Sequence, residues 1–445
     1  MAFKTFHKGG VHPADKKITA GASIQPLAIP ATVSIPCAQH IGAPAEIIVQ
    51  KGDKVKVGQL IAKANGFVSA NIHSSVSGTV KNIGPVPDAS GYTKQAVIIQ
   101  VEGDEWEETI DRTPDIKRNI DDLKPEEIIN KVHDAGIVGM GGATFPTKVK
   151  LSVPLGKKAE AVIINAVECE PYLTADHRVM LEKGDELMIG TQLIMKAVNC
   201  ENAYIGIEAN KPDAIKYLTE LSSKYPGIKV VPLQLKYPQG SEKHLIAAVT
   251  GREVPSGHLP IDVGAVVDNA GTAVAIYEAV MKNKPLFERV VTVTGDSVKN
   301  PGNFLVRIGT PISALIEAVG GLPEDTEKII SGGPMMGKAV TTLDIPVAKG
   351  TSGVLMLPKD LAHRGEVENC IRCGKCVDAC PMGLEPYLLS AYAQRKNFEE
   401  LENNHVTDCI ECGCCVFSCP SNRPILDFVR FGKQSVMKII RSRKK

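Results

Sequence analysis

The stretch Cys370-Ile371-Arg372-Cys373-Gly374-Lys375-Cys376-Val377-Asp378-Ala379-Cys380-Pro381 is repeated in spacing at Cys409-Ile410-Glu411-Cys412-Gly413-Cys414-Cys415-Val416-Phe417-Ser418-Cys419-Pro420. Cysteines two residues apart on a tight loop turn successive sulfurs toward one centre, so three of them can hold three irons of a 4Fe–4S cube. The fourth cysteine lies too far round to close the same cube, and in paired runs of this kind it serves the other one. Cys370, Cys373, Cys376 and Cys419 are therefore assigned to one cluster, and Cys409, Cys412, Cys415 and Cys380 to a second. Zinc sites also use C-x-x-C pairs, but two pairs explain neither the regular third cysteine nor the proline. The chemistry implied is electron transfer.

Working outward, the 445-residue chain has room for about three domains at ~100–200 residues each. Its 43% hydrophobic content is that of a globular protein. A net charge of +1 gives no bulk attraction to nucleic acid or an anionic membrane. With 4% aromatic residues and no binding motif, nucleic acid is excluded as a partner. Four cysteines remain outside the runs: Cys37, Cys169, Cys200 and Cys414. Disulfides are not expected, because cluster thiolates need a reducing compartment and the N-terminus MAFKTFHKGGVHP has no apolar h-region. No stretch approaches the ~20 apolar residues of a membrane span; the nearest, Val263 to Val280, is broken by Asp268, Asn269 and Glu278. A cytoplasmic protein, peripheral to any membrane, is expected.

The organisation predicted is multidomain, α/β and α+β. Residues 1–105 read as β-rich, with apolar runs at Ile47–Val49, Leu60–Ala62, Gly78–Val80 and Ala96–Ile99 between turn residues. The halves Val49–Ala62 and Ile72–Val80 resemble a lipoyl or biotinyl carrier domain, a barrel-sandwich architecture. The tip between them, Ala64–Ala70, has no lysine to modify, which implies a structural or docking role. Residues 106–124 form a polar linker with the only tryptophan, Trp106. Over 125–283, helices at Pro125–Ala135, Asp185–Val198, Asp213–Ser223 and Ser241–Val249 alternate with strands at Ala161–Ala166, Ala203–Ile207 and Lys229–Leu233, as in a parallel α/β domain. Residues 284–358 carry strands at Arg289–Thr294 and Lys328–Ile330 and a helix opened by Thr310 as cap with Pro311 behind it. This unit resembles the soluble-ligand-binding β-grasp fold. Residues 359–445 are a helical frame for the clusters, ending in the basic segment Lys433–Lys445. That end is suited to anionic headgroups or a partner's acidic face, or is a frayed solvated tail.

A second constellation begins at Gly139-Met140-Gly141-Gly142-Ala143-Thr144-Phe145-Pro146-Thr147-Lys148-Val149-Lys150. Closely spaced glycines let backbone N–H groups approach a phosphate, though the same glycines also suit a tight connection between two helices. The dinucleotide order G-x-G-x-x-G is not met, since a helix precedes the loop and Thr144 stands at the third glycine. Together with Asn165-Ala-Val-Glu-Cys-Glu-Pro171, Tyr237-Pro-Gln-Gly-Ser-Glu242 and Val267-Asp-Asn-Ala-Gly-Thr272, the block resembles the NADH-binding subunit family of respiratory complex I over roughly residues 125–335. That resemblance implies FMN, with Gly139, Gly141, Gly142 and Lys150 at its phosphate and ribityl chain. It places Asn165, Glu168, Asn269 and Thr272 at the ring and chain. Glu170, Gly240, Glu242 and Phe145 would meet the nicotinamide nucleotide; Phe145 as a core aromatic and Glu242 as a first-turn acid are the plainer alternatives. Val167 replaces an aspartate of the family, and Val153 stands where a second stacking aromatic is expected.

The full order of β domain, flavin domain, β-grasp and double cluster, with the start Phe6-His-Lys-Gly-Gly-Val-His-Pro13, resembles the RnfC subunits of the Rnf ion-translocating ferredoxin–NAD oxidoreductases. What this implies is an NADH-dependent oxidoreductase subunit, with FMN and two 4Fe–4S clusters, on the cytoplasmic face of a membrane among other subunits that do the ion transport. A flavin handles one or two electrons and so joins hydride transfer to one-electron clusters. His7 and His12 are read as structural. The alternatives are a soluble flavin/iron–sulfur reductase such as a cobalamin reductase, which lacks the N-terminal domain, and a non-catalytic electron-transfer scaffold.

Overall fold

Short strands with alternating burial build the N-terminal region. In the computed structural model, which describes residues 3–443, it runs through β1 (Ile24–Pro26), β2 (Thr32–Pro36), β3 (Glu46–Ile47), β4 (Lys54–Val55), β5 (Leu60–Lys63), β6 (Ile72–His73), β7 (Gly78–Pro87) and β8 (Thr93–Val101). The sheets β2-β8-β7-β4 and β3-β5-β6 bury Val33, Ile35, Ile61, Ile72, Val97 and Ile99 in the main apolar core. The first strand leaves its neighbours: β1 pairs in parallel with a strand near residue 303 of the β-grasp unit. The segment expected to be a linker is held in place. Trp106 packs edge-on to Phe287 at 5.2 Å, between the guanidinium groups of Arg112 and Arg307 at 4.5 and 4.8 Å.

Next come α1 (Pro125–Asp134), α2 (Thr147–Leu151), β9 (Ala161–Asn165), α3 (Ala175–Glu182), α4 (Gly184–Ala197), β10 (Ala203–Glu208), α5 (Pro212–Ser222), β11 (Ile228–Leu233), α6 (Glu242–Thr250), β12 (Ala265–Asn269) and α7 (Ala270–Lys282). Pro125 and the acids Glu126 and Glu127 open α1, Ile128 and Val132 face the core, and Gly136 at φ +65° ends it. The strands form a parallel sheet in the order β11-β10-β9-β12. From β9 the chain moves outward on one side through β10 and β11, then returns to the other side of β9 as β12. The junction between β9 and β12 is therefore a switch point, where ligands bind α/β sheets beyond the carboxyl ends of the strands.

The β-grasp unit contains β13 (Glu288–Thr294), β14 (Gly302–Arg307), α8 (Ile312–Ala318), β15 (Thr326–Ser331), β16 (Lys338–Ala339) and β17 (Gly353–Pro358). With β1 they make a six-stranded mixed sheet, β1-β14-β13-β17-β15-β16, packed on Ile312, Leu315 and Ile316 of the helix. Helix α8 starts later than the Thr310–Pro311 pattern predicts, and Thr310 does not cap it. Pro311 is extended and bridges Pro346, while the Thr310 carbonyl accepts from Val347 N–H. Strand-like pairing has taken the residues that would have made the helix's first turn.

The last region holds α9 (Lys359–Ala362), α10 (Lys375–Asp378), α11 (Pro386–Gln394), α12 (Phe398–Asn403), α13 (Cys414–Phe417) and α14 (Ile425–Arg443). The cysteine runs are conformational twins. Arg372 and Glu411 take φ +56° and +58°, Gly374 and Gly413 take +76° and +81°, and a one-turn helix follows each glycine. Helix α14 lies on α11 and α12 over Leu389, Leu401, Val429 and Val436. Of the basic end, Ile440 packs on this core and Arg443 pairs with Glu402; Lys444 and Lys445 lie outside the described residues.

Candidate flavin and cluster sites

Asn165 and Asn269, the last residues of β9 and β12, are register partners across the switch point. Asn269 also caps α7, accepting from Thr272 N–H at 3.2 Å. The glycine-rich loop comes to this edge. Gly139 N–H donates to the Phe145 carbonyl (2.9 Å), closing the loop, and Met140 N–H donates to Thr272 Oγ1 (2.9 Å). A Cβ at Gly141 would lie 2.8 Å from the Asn269 amide nitrogen, so glycine is needed for close approach; at Gly142 it would meet open space. Phe145 is half-buried and belongs to none of the apolar clusters.

Lys150, from α2, crosses to the sheet, donating to the Val267 carbonyl (2.7 Å) and pairing with Glu242 (3.0 Å). Burial opposes its charge, but Asp268 and Glu242 beside it hold the ammonium above its ordinary pKa. Asn165 Nδ2 donates to the Gly240 carbonyl (2.7 Å), bringing the 237–242 loop to the same edge. Gly139, Gly141, Gly142, Lys150, Asn165, Gly240, Glu242, Asn269 and Thr272 are thus assembled at one sheet edge.

The carboxylates of Glu168 and Glu170 are engaged by backbone N–H groups. The Glu168 carboxylate accepts from Asp176 and His177 N–H at the start of α3 (2.8 and 3.1 Å), with Glu168 itself at φ +46°. Glu170 accepts from Met335 and Met336 N–H in the β-grasp loop (2.9 and 2.8 Å), and burial pushes its carboxyl up to about 7. Val167 points into the apolar cluster of Leu233 and Leu245, so its side chain fills core and does not face the edge. Val153 packs on the main core.

Sequence reasoning does not single out Asp268. Neither of its carboxylate oxygens has a partner among the described residues although the residue is buried, and burial, opposed by Lys150, pushes it up to about 6. The available signal is its place beside Asn269 at the end of a strand. Open space at Gly142, orphaned oxygens at Asp268 and an ammonium at Lys150 suit a ligand rich in hydroxyls and carrying an anionic end, as FMN is.

Cys380, Cys409, Cys412 and Cys415 line one pocket. Burial raises the Cys376 thiol, with smaller contributions from Cys419 and Cys370, while Cys370 and Cys373 are exposed. Among the described residues no three His, Cys, Asp or Glu side chains close around a single ion. Burial raises Cys376, Cys380 and Cys409, the last to about 11, so metal loading must drive off these protons. Cys414 is buried in the same wall, its Sγ 4.0 Å from the Tyr237 carbonyl.

The pocket abuts the flavin domain. Tyr237 OH donates to the Cys412 carbonyl (2.9 Å), His244 Nε2 lies 3.1 Å from the Pro381 carbonyl, and Met335 reaches Gly413. Gly240 N–H, on the flavin side, points to Cys169 Sγ at 3.4 Å, and Cys169 packs with Tyr237 and Cys412. The N-terminal segment fastens this junction. Lys4 pairs beside Leu233, Val11 and Tyr237 exchange both backbone bonds (2.8 and 2.9 Å), and Gly10 N–H donates to the Ala379 carbonyl (2.9 Å). Phe6, only 2% exposed, lies between His244 and the Lys236 ammonium. His12 bonds the Leu235 carbonyl and His7 is exposed.

A parallel sheet edge carrying a glycine-rich loop, with two cysteine runs packed beside it, defines a flavin- and iron–sulfur-dependent oxidoreductase subunit. Family models match in the same order: an RnfC barrel sandwich hybrid domain (residues 4–104), a Nuo51 FMN-binding domain (132–278), an SLBB domain (290–339) and a 4Fe-4S dicluster domain (362–420). The chain is 51% identical over 400 residues to the C subunit of the proton-translocating ferredoxin:NAD(+) oxidoreductase complex of Clostridium ljungdahlii, covering 89% of this chain and 86% of that one. It is 47% identical over 433 residues to the Na(+)-translocating counterpart of Acetobacterium woodii, covering 97% of each. It is 43% identical to the C subunit of the ion-translocating oxidoreductase complex of Rhodobacter capsulatus, covering 96% and 82%. The chain belongs to the RnfC family, the C subunits of ion-translocating ferredoxin:NAD(+) oxidoreductase complexes. An NAD+-reducing [NiFe]-hydrogenase, 17% identical, shares the fold over 71% of this chain and 66% of its own, with a TM-score of 0.51. No helix among the described residues is long and apolar enough to cross a membrane.

Proposed function

We propose that the edge between β9 and β12 holds FMN and exchanges electrons with NAD(H), and that the set Cys380, Cys409, Cys412 and Cys415 carries the flavin-proximal cluster. The set Cys370, Cys373, Cys376 and Cys419 carries the outer one, where electrons leave for or arrive from the other subunits. Bound flavin supplies the conversion between a two-electron hydride and one-electron carriers. The chain's own residues set the geometry. Gly142 and Lys150 meet the phosphate end, Gly141 lets Asn269 come close, and Asp268 and Asn269 contact the chain and ring. Glu242 and Phe145 border the nicotinamide side, and Glu170 braces the β-grasp loop against the junction. The complex's other subunits place this chain at the cytoplasmic face of the membrane, where NADH is found.

The observation that carries the order of clusters is the Tyr237–Cys412 hydrogen bond beside Cys169 and Gly240, set against the exposure of Cys370 and Cys373. It is tested with the anaerobic, cluster-loaded chain. In Cys409→Ser, NADH should bleach the flavin but leave the remaining cluster oxidised by EPR, although dithionite reduces it. In Cys370→Ser, NADH should still reduce the inner cluster. The reverse pattern would invert the order, and a flavin untouched by NADH in the wild type would leave an electron-transfer scaffold.

A further inference from the structure

Behind the flavin edge lies a second pocket, between α3, α7 and the β13–β14 hairpin. Its wall carries Asp176, Lys183, Glu278, Lys284, Glu288 and Arg289. Glu278 is held between Lys183 (2.9 Å) and Lys284 (3.0 Å), and Glu288 between Lys284 (2.7 Å) and Arg307 (3.2 Å). Arg289 spends its guanidinium on the carbonyls of Met140 and Lys349. Asp176 also lines the pocket, and among the described residues no cation is paired with it. Its Oδ2 accepts from Asn269 Nδ2 at 2.6 Å, so one carboxyl links the pocket to the amide placed against the flavin. Asp176 is enclosed by protein yet keeps accessible surface.

We propose that Asp176 is a positioning residue for the flavin: it fixes the Asn269 carboxamide and takes up a proton through the pocket when the flavin is reduced. The inference rests on the reading of the β9–β12 edge as the FMN site. The balance is simple. NADH gives two electrons and a hydrogen nucleus as hydride and leaves as NAD+, which puts one negative charge on the bound group. One proton from solvent then converts the Asp176 carboxylate to the acid. When the two electrons pass singly to the clusters, that proton returns to solvent with the one carried by the hydride. A group at this place is able to answer charge because its surroundings leave it near balance. Glu168 on the preceding loop disfavours its ionisation, Arg289 from β13 and Lys211 before α5 favour it, and the pocket's Lys183, Glu278, Lys284 and Glu288 are satisfied by one another. Burial is the largest influence and raises the carboxyl above its ordinary range, while the hydrogen bond from Asn269 lowers it.

The test is Asp176→Asn in the FMN- and cluster-loaded chain, which keeps shape and hydrogen bond but removes the charge. FMN should remain bound. Its reduced form should be favoured about tenfold at pH 8.5, equal to ~30 mV for a two-electron couple, and the difference from wild type should close below pH 6. A pH-independent offset, or none, overturns the proposal. Should the variant not fold, the wild type decides by itself. Anaerobic reduction with NADH in weakly buffered indicator dye near pH 7.5 should take up more protons than the flavin and clusters need, and no excess uptake overturns the idea. Asn269→Ala separates this from the parent reading. If Asn269→Ala binds FMN as tightly as wild type, the site assignment itself falls. If it loses FMN while Asp176→Asn behaves as wild type, only the role of Asp176 falls.

Discussion

Lys349 has an environment rare for a lysine. It is 1% exposed and its Nζ donates to the carbonyls of Asn71 and Gly136 (both 2.7 Å), joining the N-terminal, flavin and β-grasp parts. No carboxylate among the described residues pairs with it, and desolvation lowers its pKa to about 7. The unfolded chain keeps that proton up to about 10.4. Between those values the unfolded state binds more protons, so stability rises with pH. Unfolding free energies from urea titrations should climb by up to ~1.4 kcal/mol per pH unit from pH 7 to 9 in wild type, and Lys349→Met should lose that climb; parallel curves would contradict it. Glu170 gives a second residue-scale expectation. Glu170→Ala removes the acceptor of the half-buried Met335 N–H and of the exposed Met336 N–H, costing about 1–2 kcal/mol. It should loosen the Met335 loop from the cluster pocket, seen as faster proteolysis around residues 332–337. Neither role is visible in the sequence, where Lys349 follows Pro-Val-Ala like a surface lysine and Glu170 lies in a motif that resembles a nucleotide contact.

At the scale of elements, the glycine loop and the β9–β12 edge make one device, and two neighbouring glycines separate its roles. Gly141→Ala drives a methyl into Asn269, so it should both destabilise the fold and cut FMN affinity at least about tenfold, a 1.4 kcal/mol effect. Gly142→Ala meets no protein atom, so stability should stay within about 0.5 kcal/mol while FMN retention on gel filtration still falls. Unchanged retention in Gly142→Ala would move the phosphate elsewhere. Much of this element is legible in the sequence. The glycines, Asn165, Asn269 and Thr272 are marked by type and by position at strand ends. The engagement of Glu168 with α3 is not, because a carboxylate looks the same in sequence whether it faces a ligand or a helix N-terminus. The β-grasp helix is a residue or two shorter than its pattern predicts for a similar reason: Thr-Pro suits a helix start or an extended edge, and only the neighbour at Pro346 decides between them.

At the scale of the whole molecule, electron transfer depends on how the cluster unit is held against the flavin unit. The N-terminal segment does this from far away in the chain, passing Phe6 under His244 and lacing Gly10 and Val11 to Ala379 and Tyr237. Phe6→Ala removes a buried ring worth about 3–5 kcal/mol, felt at this junction. Stopped-flow mixing with NADH should then show flavin bleaching at its normal rate and slower cluster reduction. Equal slowing of both phases would place the effect in the flavin domain instead.

The sequence by itself determined the parts: two clusters from cysteine spacing, a parallel α/β domain from alternating periods, a carrier-like sandwich without its lysine, and the flavin loop. These are local patterns, set by what neighbouring residues can do together. Only the tertiary structure decided which cysteine set meets the flavin domain, that the first strand completes the β-grasp sheet, that the linker is strapped at Trp106, and that Asp176 stands behind Asn269. Each of these joins residues tens to hundreds of positions apart. Their pairing is settled by burial and by the need of every enclosed polar group for a partner, and no local pattern records it.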